Sequence, residues 1–299
     1  MAKASKTTRG VVLTLIGGTC WGFSGTCAKF LMDGYGVDPV WLVCVRQFFA
    51  SWLFLALAAA VPGDRRRLRD LVRELGRGWR TLTLVVVTAA CMMVNSVCYI
   101  VTVKVTNSAT ATVLQTLALV VLMVYSCVTA RRGPRRRELA GLALALGGTF
   151  LIATGGDPAH LAMPAAGLAW GLATCVTYAL YSAVPEGLLK RWGSPAVNGV
   201  TMLVSGTVLL VATRPWEGMP AFDAAGVAGV VAIVVVGTFL AYALYMQGVK
   251  DLGPLRASML GTSEPIAATV FSALWLGTAF APTDLAGFAM IIAMVYLTA

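Results

Sequence analysis

The sequence predicts an all-α integral membrane protein: ten transmembrane helices in two related five-helix halves of opposite orientation. Three observations lead there. The first is composition. Of 299 residues, 58% are hydrophobic and 12% charged, against roughly 25% charged in a soluble domain. The apolar residues fall in long runs, and about 20 of them suffice to cross the bilayer core.

The second is the placement of charge. When ten spans are threaded, Lys104 and Arg214 fall on one side and Lys29 and Arg46 inside spans, so nineteen of the 23 Lys and Arg remain for the other side. The positive-inside rule makes that side the cytoplasm, with the N-terminus in it. A missed span would invert the bias downstream. The third is an internal repeat. A shift of 146 residues puts Glu138-Leu139-Ala140-Gly141 on Asp284-Leu285-Ala286-Gly287, Tyr99 on Tyr245, Lys104 on Lys250 and Leu114 on Leu260. The first two spans of each half match more weakly. Five spans per half, an odd number, place the two halves in opposite directions. The expected division is a cytoplasmic N-terminal segment (1–9), a first five-helix repeat (10–155) and a second (165–299).

The expected spans are 10–32, 39–61, 81–103, 108–130, 138–155, 165–188, 196–213, 224–247, 255–278 and 284–299. Most connections carry turn residues, such as Asp33-Gly34, Pro62-Gly63, Gly133-Pro134 and Gly253-Pro254, whose backbone preferences favour turns. Residues 1–9 are basic, but the apolar run after them is too long for a removable signal, so it reads as a first span. In that span Gly18 and Gly22 have small-xxx-small spacing for close helix approach. Trp21 lies too deep for an interfacial belt and must face core or substrate. Lys29 is near the outer interface, where its head snorkels.

The second span carries Arg46, a candidate for charge compensation. The arginine-rich stretch 65–80 then reads as an amphipathic cytoplasmic connector, with anionic lipid as an alternative partner. The third span has a polar stripe at helical spacing, Met92, Asn95, Ser96 and Tyr99, and the fourth has Thr112, Gln115 and Thr116. Such stripes turn inward in lipid, to bond neighbouring helices or line a cavity.

The sixth span has Thr174, Thr177, Tyr178 and Tyr181, with a second small-residue pair at Gly167 and Gly171. Near its end Glu186 and Lys190 have ion-pair spacing. The eighth span has Thr238, Tyr242 and Tyr245. In the ninth, Ser263-Glu264-Pro265 places an acid near mid-membrane, where ionisable groups are costly and face a cavity or partner. Pro265 removes a backbone N–H and clashes with the Gly261 carbonyl, which is expected to loosen the helix and expose that carbonyl beside the carboxylate.

The substrate-binding candidates are therefore Trp21, Asn95, Tyr99, Gln115, Tyr178, Tyr242, Ser263 and Glu264, with Glu264 also a candidate for proton coupling. No catalytic or metal site is expected, and no cofactor. The seven cysteines form no CxxC and fall inside apolar runs, and His160 stands in a loop. Nothing suggests a nucleic-acid partner. The expected partners are a small-molecule substrate, membrane lipid and, as a candidate, protons; the chain works as a monomer or homodimer.

Several of these residues also carry a resemblance. Trp21-Gly22 followed by Lys29, Arg46 followed by Phe48 and Phe49, Glu264-Pro265-Ile266 and Leu276-Gly277, set on ten spans and a repeat, resemble the EamA family of the drug/metabolite transporter superfamily along essentially the whole chain. There are departures. Thr278 stands where the family usually has Glu, the matching Glu after the fourth span is missing, and Ala118-Leu119-Val120 occupies a place where many relatives have a proline. The resemblance implies a central cavity and a small-metabolite substrate. Its members move amino acids, nucleosides, sugars and amines. The expected function is secondary-active or facilitative transport of an amino acid or amine-like metabolite across the cytoplasmic membrane by alternating access. The alternative is an intramembrane lipid- or metabolite-modifying enzyme, although such enzymes cluster His, Asp or Arg at a membrane face and this chain has one His.

Overall fold

The computed structural model describes the backbone of residues 2–298; Met1 of the expected N-terminal segment and Ala299 of the tenth expected span lie outside the described residues. The chain runs α1 (Ala2–Tyr35), α2 (Pro39–Ala60), α3 (Pro62–Leu75), α4 (Trp79–Val105), α5 (Ser108–Thr116), α6 (Ala118–Thr129) and α7 (Arg136–Thr154). It continues α8 (Ala165–Ala183), α9 (Glu186–Trp192), α10 (Ser194–Thr213), α11 (Ala224–Ala232), a π-helical segment (Ile233–Leu240), α12 (Ala241–Leu252), α13 (Pro254–Leu260), α14 (Ser263–Leu276) and α15 (Pro282–Thr298).

Local chemistry sets the helix starts and ends. The Asp38 carboxylate accepts the Val40 and Trp41 N–H groups at 2.8 and 3.1 Å, and Pro39 opens α2. Asn107 caps α5 through Thr110 N–H, and Asp223 caps α11 through Gly226 N–H, each at 2.8 Å. Such caps satisfy backbone donors that have no intrahelical partner. Gly155 and Gly277, both at φ +64°, end α7 and α14, a conformation that costs glycine little.

Among the described residues, eight helical runs are long and apolar enough to cross a membrane: those beginning at Lys6, Pro39, Trp79, Ser108, Arg136, Ala165, Ser194 and Ala224. The ninth and tenth expected spans fall short of that measure. The tenth is a shorter apolar helix, Pro282–Leu297. The ninth is cut into α13 and α14 at Gly261-Thr262, because Pro265 has no N–H to continue the α pattern. The Gly261 carbonyl is not left exposed as expected. It accepts the N–H of Glu264 in a tight turn at 3.0 Å, while the Thr262 hydroxyl donates to Met259 O at 2.7 Å.

The fourth expected span is also interrupted, without a proline. Leu117 separates α5 from α6, with Leu117 N–H on Leu114 O (3.1 Å) and Val120 N–H on Leu117 O (2.9 Å). The 146-residue shift carries Leu117 onto Ser263, the residue just after the Gly261-Thr262 break.

The helices pack chiefly as α2 on α10, α1 on α12, α4 on α8 and α7 on α15, with α1 also on α14 and α8 on α5. The two expected glycine pairs sit in these contacts. A methyl group at Gly22 would meet Ala268 N and Glu264 O of α14 at 2.6 Å, and one at Gly171 would meet Leu114 of α5 at 2.3 Å. One end of the bundle carries α3 and α9. At the opposite end Leu31, Val37, Trp41, Leu42, Val103 and Leu209 form a buried apolar cluster. There Trp41 donates its indole N–H to Pro215 O at 3.0 Å and Tyr35 donates its hydroxyl to Asp223 at 2.5 Å.

Candidate functional site: a polar cavity between the interrupted helices

Inside the bundle lies a cavity of about 240 Å³. α1 contributes Trp21 and Ser24, α2 contributes Arg46, and α4 contributes Thr88, Met92, Asn95, Ser96 and Tyr99. The α4 residues recur every three or four positions, so one face of the helix delivers all five. Gln115 comes from α5 and Glu264 from α14, each beside a helix interruption. α8 gives Tyr178, Tyr181 and Ser182, and α12 gives Tyr242, Tyr245 and Met246 in the same spacing.

Aromatic rings form much of the wall. Trp21 meets Tyr242 edge-on and Tyr245 at a tilt, both with centroids 4.9 Å apart. The Tyr181 and Tyr242 hydroxyls are 3.4 Å apart, and Tyr178 sits edge-on to Tyr181. The polar stripes are partly consumed in tying helices together. Tyr99 bonds Thr112 at 3.0 Å, Thr177 donates to Asn95 Oδ1 at 3.3 Å, and Thr102 bonds Thr174 at 3.2 Å.

The two charges are alike in lacking partners among the described residues. Among the described residues the Glu264 carboxylate has neither a hydrogen-bond partner nor an ion pair, and Arg46 Nε is buried with no hydrogen-bond partner. One carboxylate and one guanidinium thus face the same chamber without closing on each other. A buried polar atom without a partner, as Arg46 Nε is, is costly, so a ligand with complementary charges would recover part of that cost.

A second cavity of about 110 Å³ shares Trp21, Gln115, Tyr178, Tyr245 and Glu264 with the first. It extends past the helix interruptions, touching Thr116 and Ala118 on one side and Gly261, Thr262 and Pro265 on the other. The main cavity instead reaches toward the α3–α9 end, where Pro185, Leu189, Val197 and Asn198 line it.

Of the sequence-derived candidates, Trp21, Asn95, Tyr99, Gln115, Tyr178, Tyr242 and Glu264 line this chamber together, as does Arg46. Ser263 does not. Its hydroxyl donates to Leu15 O at 3.3 Å and lies against Gly18, because the helix turn that aims Glu264 inward aims its neighbour at α1. Lys29 pairs with Asp33 at 3.2 Å and donates to Lys104 O at 2.8 Å. Glu186 and Lys190 form their ion pair, exposed on α9. His160 stays exposed beside Asp157, 2.9 Å away.

Sequence reasoning passed over Ser24, Thr88, Ser182 and Asn198 as lining residues. It also passed over Gln47, which lies beside Arg46, is fully buried and joins three helices. Its amide donates to Ser96 at 2.9 Å and accepts from Ser205 at 2.5 Å. An amide inside an apolar span was the available signal. Gly237 reaches the cavity through the π-helical widening, where Thr238 donates to Ile233 O, five residues back, at 2.9 Å. Among the described residues no group of three or more His, Cys, Asp or Glu could hold a metal ion.

The model of the EamA-like transporter family matches this sequence twice, over residues 8–154 and 165–299. The chain belongs to the EamA-like transporter family. Its relatives include the uncharacterized inner membrane transporter YicL of Salmonella typhimurium, 29% identical over 291 residues, covering 97% of this chain and 95% of that one. The uncharacterized transporter YwfM of Bacillus subtilis is 22% identical over 208 residues, covering 69% and 70% of the two chains. A chain of known crystal structure superposes with a TM-score of 0.65 at 15% identity, covering 98% of this chain and 96% of that one. At that identity the likeness speaks for the fold. The double family match and the apolar helices make this EamA-like protein a multi-pass membrane protein of a transporter family.

Proposed function

We propose that this protein is a carrier of a small metabolite bearing an amine, best suited by an amino acid, that moves it across the cytoplasmic membrane by alternating access. The carrying observation is the chamber itself, in which an unpaired carboxylate and an unpaired guanidinium face one space among aromatic rings. Glu264 suits an ammonium group and Arg46 a carboxylate; Trp21, Tyr178, Tyr242 and Tyr245 supply apolar faces that also attract cations. Trp21, Asn95, Tyr99, Gln115, Tyr178, Tyr242 and Glu264 are the proposed substrate contacts. The volume, about 240 Å³, lies below the roughly 300–1,000 Å³ usual for drug-sized ligands, which favours a small substrate.

The mechanism rests on a ten-span reading with two inverted five-helix repeats. Under the 146-residue shift the interruptions at Leu117 and at Gly261-Thr262 fall within two residues of each other. The pairing also survives exchange of the halves: α1 with α12 becomes α8 with α4, and α1 with α14 becomes α8 with α6. Exchange of conformation between such halves moves access from one face to the other around a fixed site. With the N-terminus cytoplasmic, the chamber opens toward the cytoplasm and the Trp41 cluster closes the outer side. A cytoplasmic-membrane location agrees with the name of the Salmonella relative.

Counterflow in proteoliposomes against amino acids, amines, nucleosides and sugars tests this. Saturable, trans-stimulated uptake of an amino acid or amine is expected. Linear flux would indicate a channel, and chemical conversion without flux an enzyme. In the same assay Glu264→Gln is expected to lower uptake at least about tenfold, the cost of one lost charge-assisted contact. Uptake unchanged across a pH series would remove Glu264 from the mechanism.

A further inference from the structure

α3 leaves the bundle directly after α2 and returns directly into α4, both long enough to span, so it lies at one membrane face. Its inner side is pinned. Leu71 is fully buried in a cluster with Leu188, Trp192 and Val197, and Asp64 pairs with Arg67 at 3.2 Å. Glu74 accepts two N–H groups of Arg191 of α9, at 2.9 and 2.6 Å, and the Thr81 hydroxyl at 3.0 Å.

The outer side is different. Arg65, Arg66, Arg69 and Arg73 are exposed, and among the described residues none of their side chains has a hydrogen-bond or ion-pair partner. At roughly 100° per residue they occupy a single arc of roughly 100°. The one acid left unpaired on the helix, Asp70, lies beyond that arc on the Glu74 flank. Val72 borders the arc and is 55% exposed, and Trp79, which opens α4 just after α3, is 73% exposed with the Arg80 guanidinium over its ring.

We propose that α3 is a docking site for anionic phospholipid of the leaflet it lies on, with the four arginines holding headgroup phosphates. Guanidinium forks match phosphate oxygens. Trp79 and Val72 enter the headgroup–acyl boundary, as in interfacial amphipathic helices. An acidic soluble partner would satisfy the arginines and leave those apolar groups in water. The chain's other basic cluster makes a contrast. Between α6 and α7, Arg132 is already held by Glu138 at 2.8 and 2.7 Å, and only Arg136 and Arg137 of its neighbours lie on a helix, in the first turn of α7. Because Arg191 sits two residues after the cavity-lining Leu189, a headgroup layer that fixes α3 also fixes the mouth of the chamber.

Native mass spectrometry of the full-length protein, exchanged against equimolar phosphatidylglycerol and phosphatidylcholine, tests the proposal. The wild type is expected to retain phosphatidylglycerol over phosphatidylcholine by roughly tenfold or more, as basic residues near anionic headgroups do, and less at high salt. Arg65→Gln/Arg66→Gln/Arg69→Gln/Arg73→Gln is expected to lose that preference. Arg66→Gln/Arg73→Gln, on the side opposite the buried face, is expected to halve it or more while melting like the wild type. Arg136→Gln/Arg137→Gln is expected to keep it. No preference in the wild type, an undiminished preference in both α3 variants, or its loss in the Arg136/Arg137 variant would each overturn the proposal.

Discussion

Replacing Gly22 by Ala tests the contact that sets α14, and with it Glu264, against α1. The new methyl group would stand 2.6 Å from Ala268 N and from Glu264 O, and 2.8 Å from Ala267 Cβ. Carbon prefers neighbours at about 3.5–4.0 Å, so the two helices must part locally by on the order of 1 Å. Two of the three obstacles are backbone atoms, which cannot rotate aside as a side chain does. Overpacking of this kind costs about 1–3 kcal/mol. An open site would show the reverse sign, because Ala is better than Gly in a helix by roughly 0.5–1 kcal/mol. Thermal melting of the purified protein should therefore fall by several degrees, on the order of 2–8 °C. Gly187→Ala, on α9 with nothing within 4 Å of the added carbon, should melt at the wild-type temperature or slightly above. Gly22→Ala matching Gly187→Ala would refute the argument, since the α1–α14 contact would then not be backbone-limited.

Three further outcomes are expected. Gln47→Leu removes the amide that joins Ser96 to Ser205; it should destabilise by about 1–3 kcal/mol, chiefly through the Ser96 hydroxyl, since Ser205 keeps Met202 O at 3.2 Å, and Gln47→Leu/Ser96→Ala should recover part of the lost melting temperature. Asp223 has its carboxyl held below the ordinary carboxylate range by the Tyr35 hydroxyl and the Gly226 N–H. Its stabilising contribution is therefore complete above about pH 4 and is lost as pH falls through the lowered folded value. The melting difference between wild type and Asp223→Ala should be constant near neutral pH and shrink in acid; a difference that grows in acid would contradict the assignment. Arg46→Gln should weaken uptake of a zwitterion far more than uptake of the matching amine without its carboxylate, and equal losses for both would remove Arg46 from substrate recognition.

Most of the chamber was legible because its residues announce themselves in an apolar background. Asn95, Tyr99, Gln115, Tyr178 and Glu264 are polar or amphipathic groups deep within runs that lipid would otherwise cover. Helical spacing then collects them on inward faces. What stayed hidden depends on backbone detail that composition does not encode. The Leu117 break has no proline or glycine at the interruption, and the π-helical turn at Ile233–Leu240 lies in a stretch of Val, Gly, Thr and Phe with no distinguishing pattern. Ser263 was misplaced for a related reason. Near a helix break the phase of the turn decides which of two adjacent residues faces inward, and Pro265 located the break only to within a turn.

Glycine contacts divide the bundle into units that slide poorly against themselves. A methyl group at Gly17 would stand 3.0 Å from α12 backbone atoms, one at Gly22 would strike α14, and one at Gly206 would stand 2.7 Å from the Phe48 backbone of α2. Along such seams there is no side-chain cushion to absorb a shift. In the proposed alternating-access cycle α1, α12 and α14 would therefore move as one lever, and α2 with α10 as another. Glu264 rides on the first lever and Arg46 on the second. In that proposed cycle their separation would be a mechanical coordinate: motion within a lever would leave it fixed, and motion between levers would change it. A spectroscopic distance between labels on α2 and α14 would track the working stroke, while labels on α1 and α14 would keep a constant separation through the same stroke.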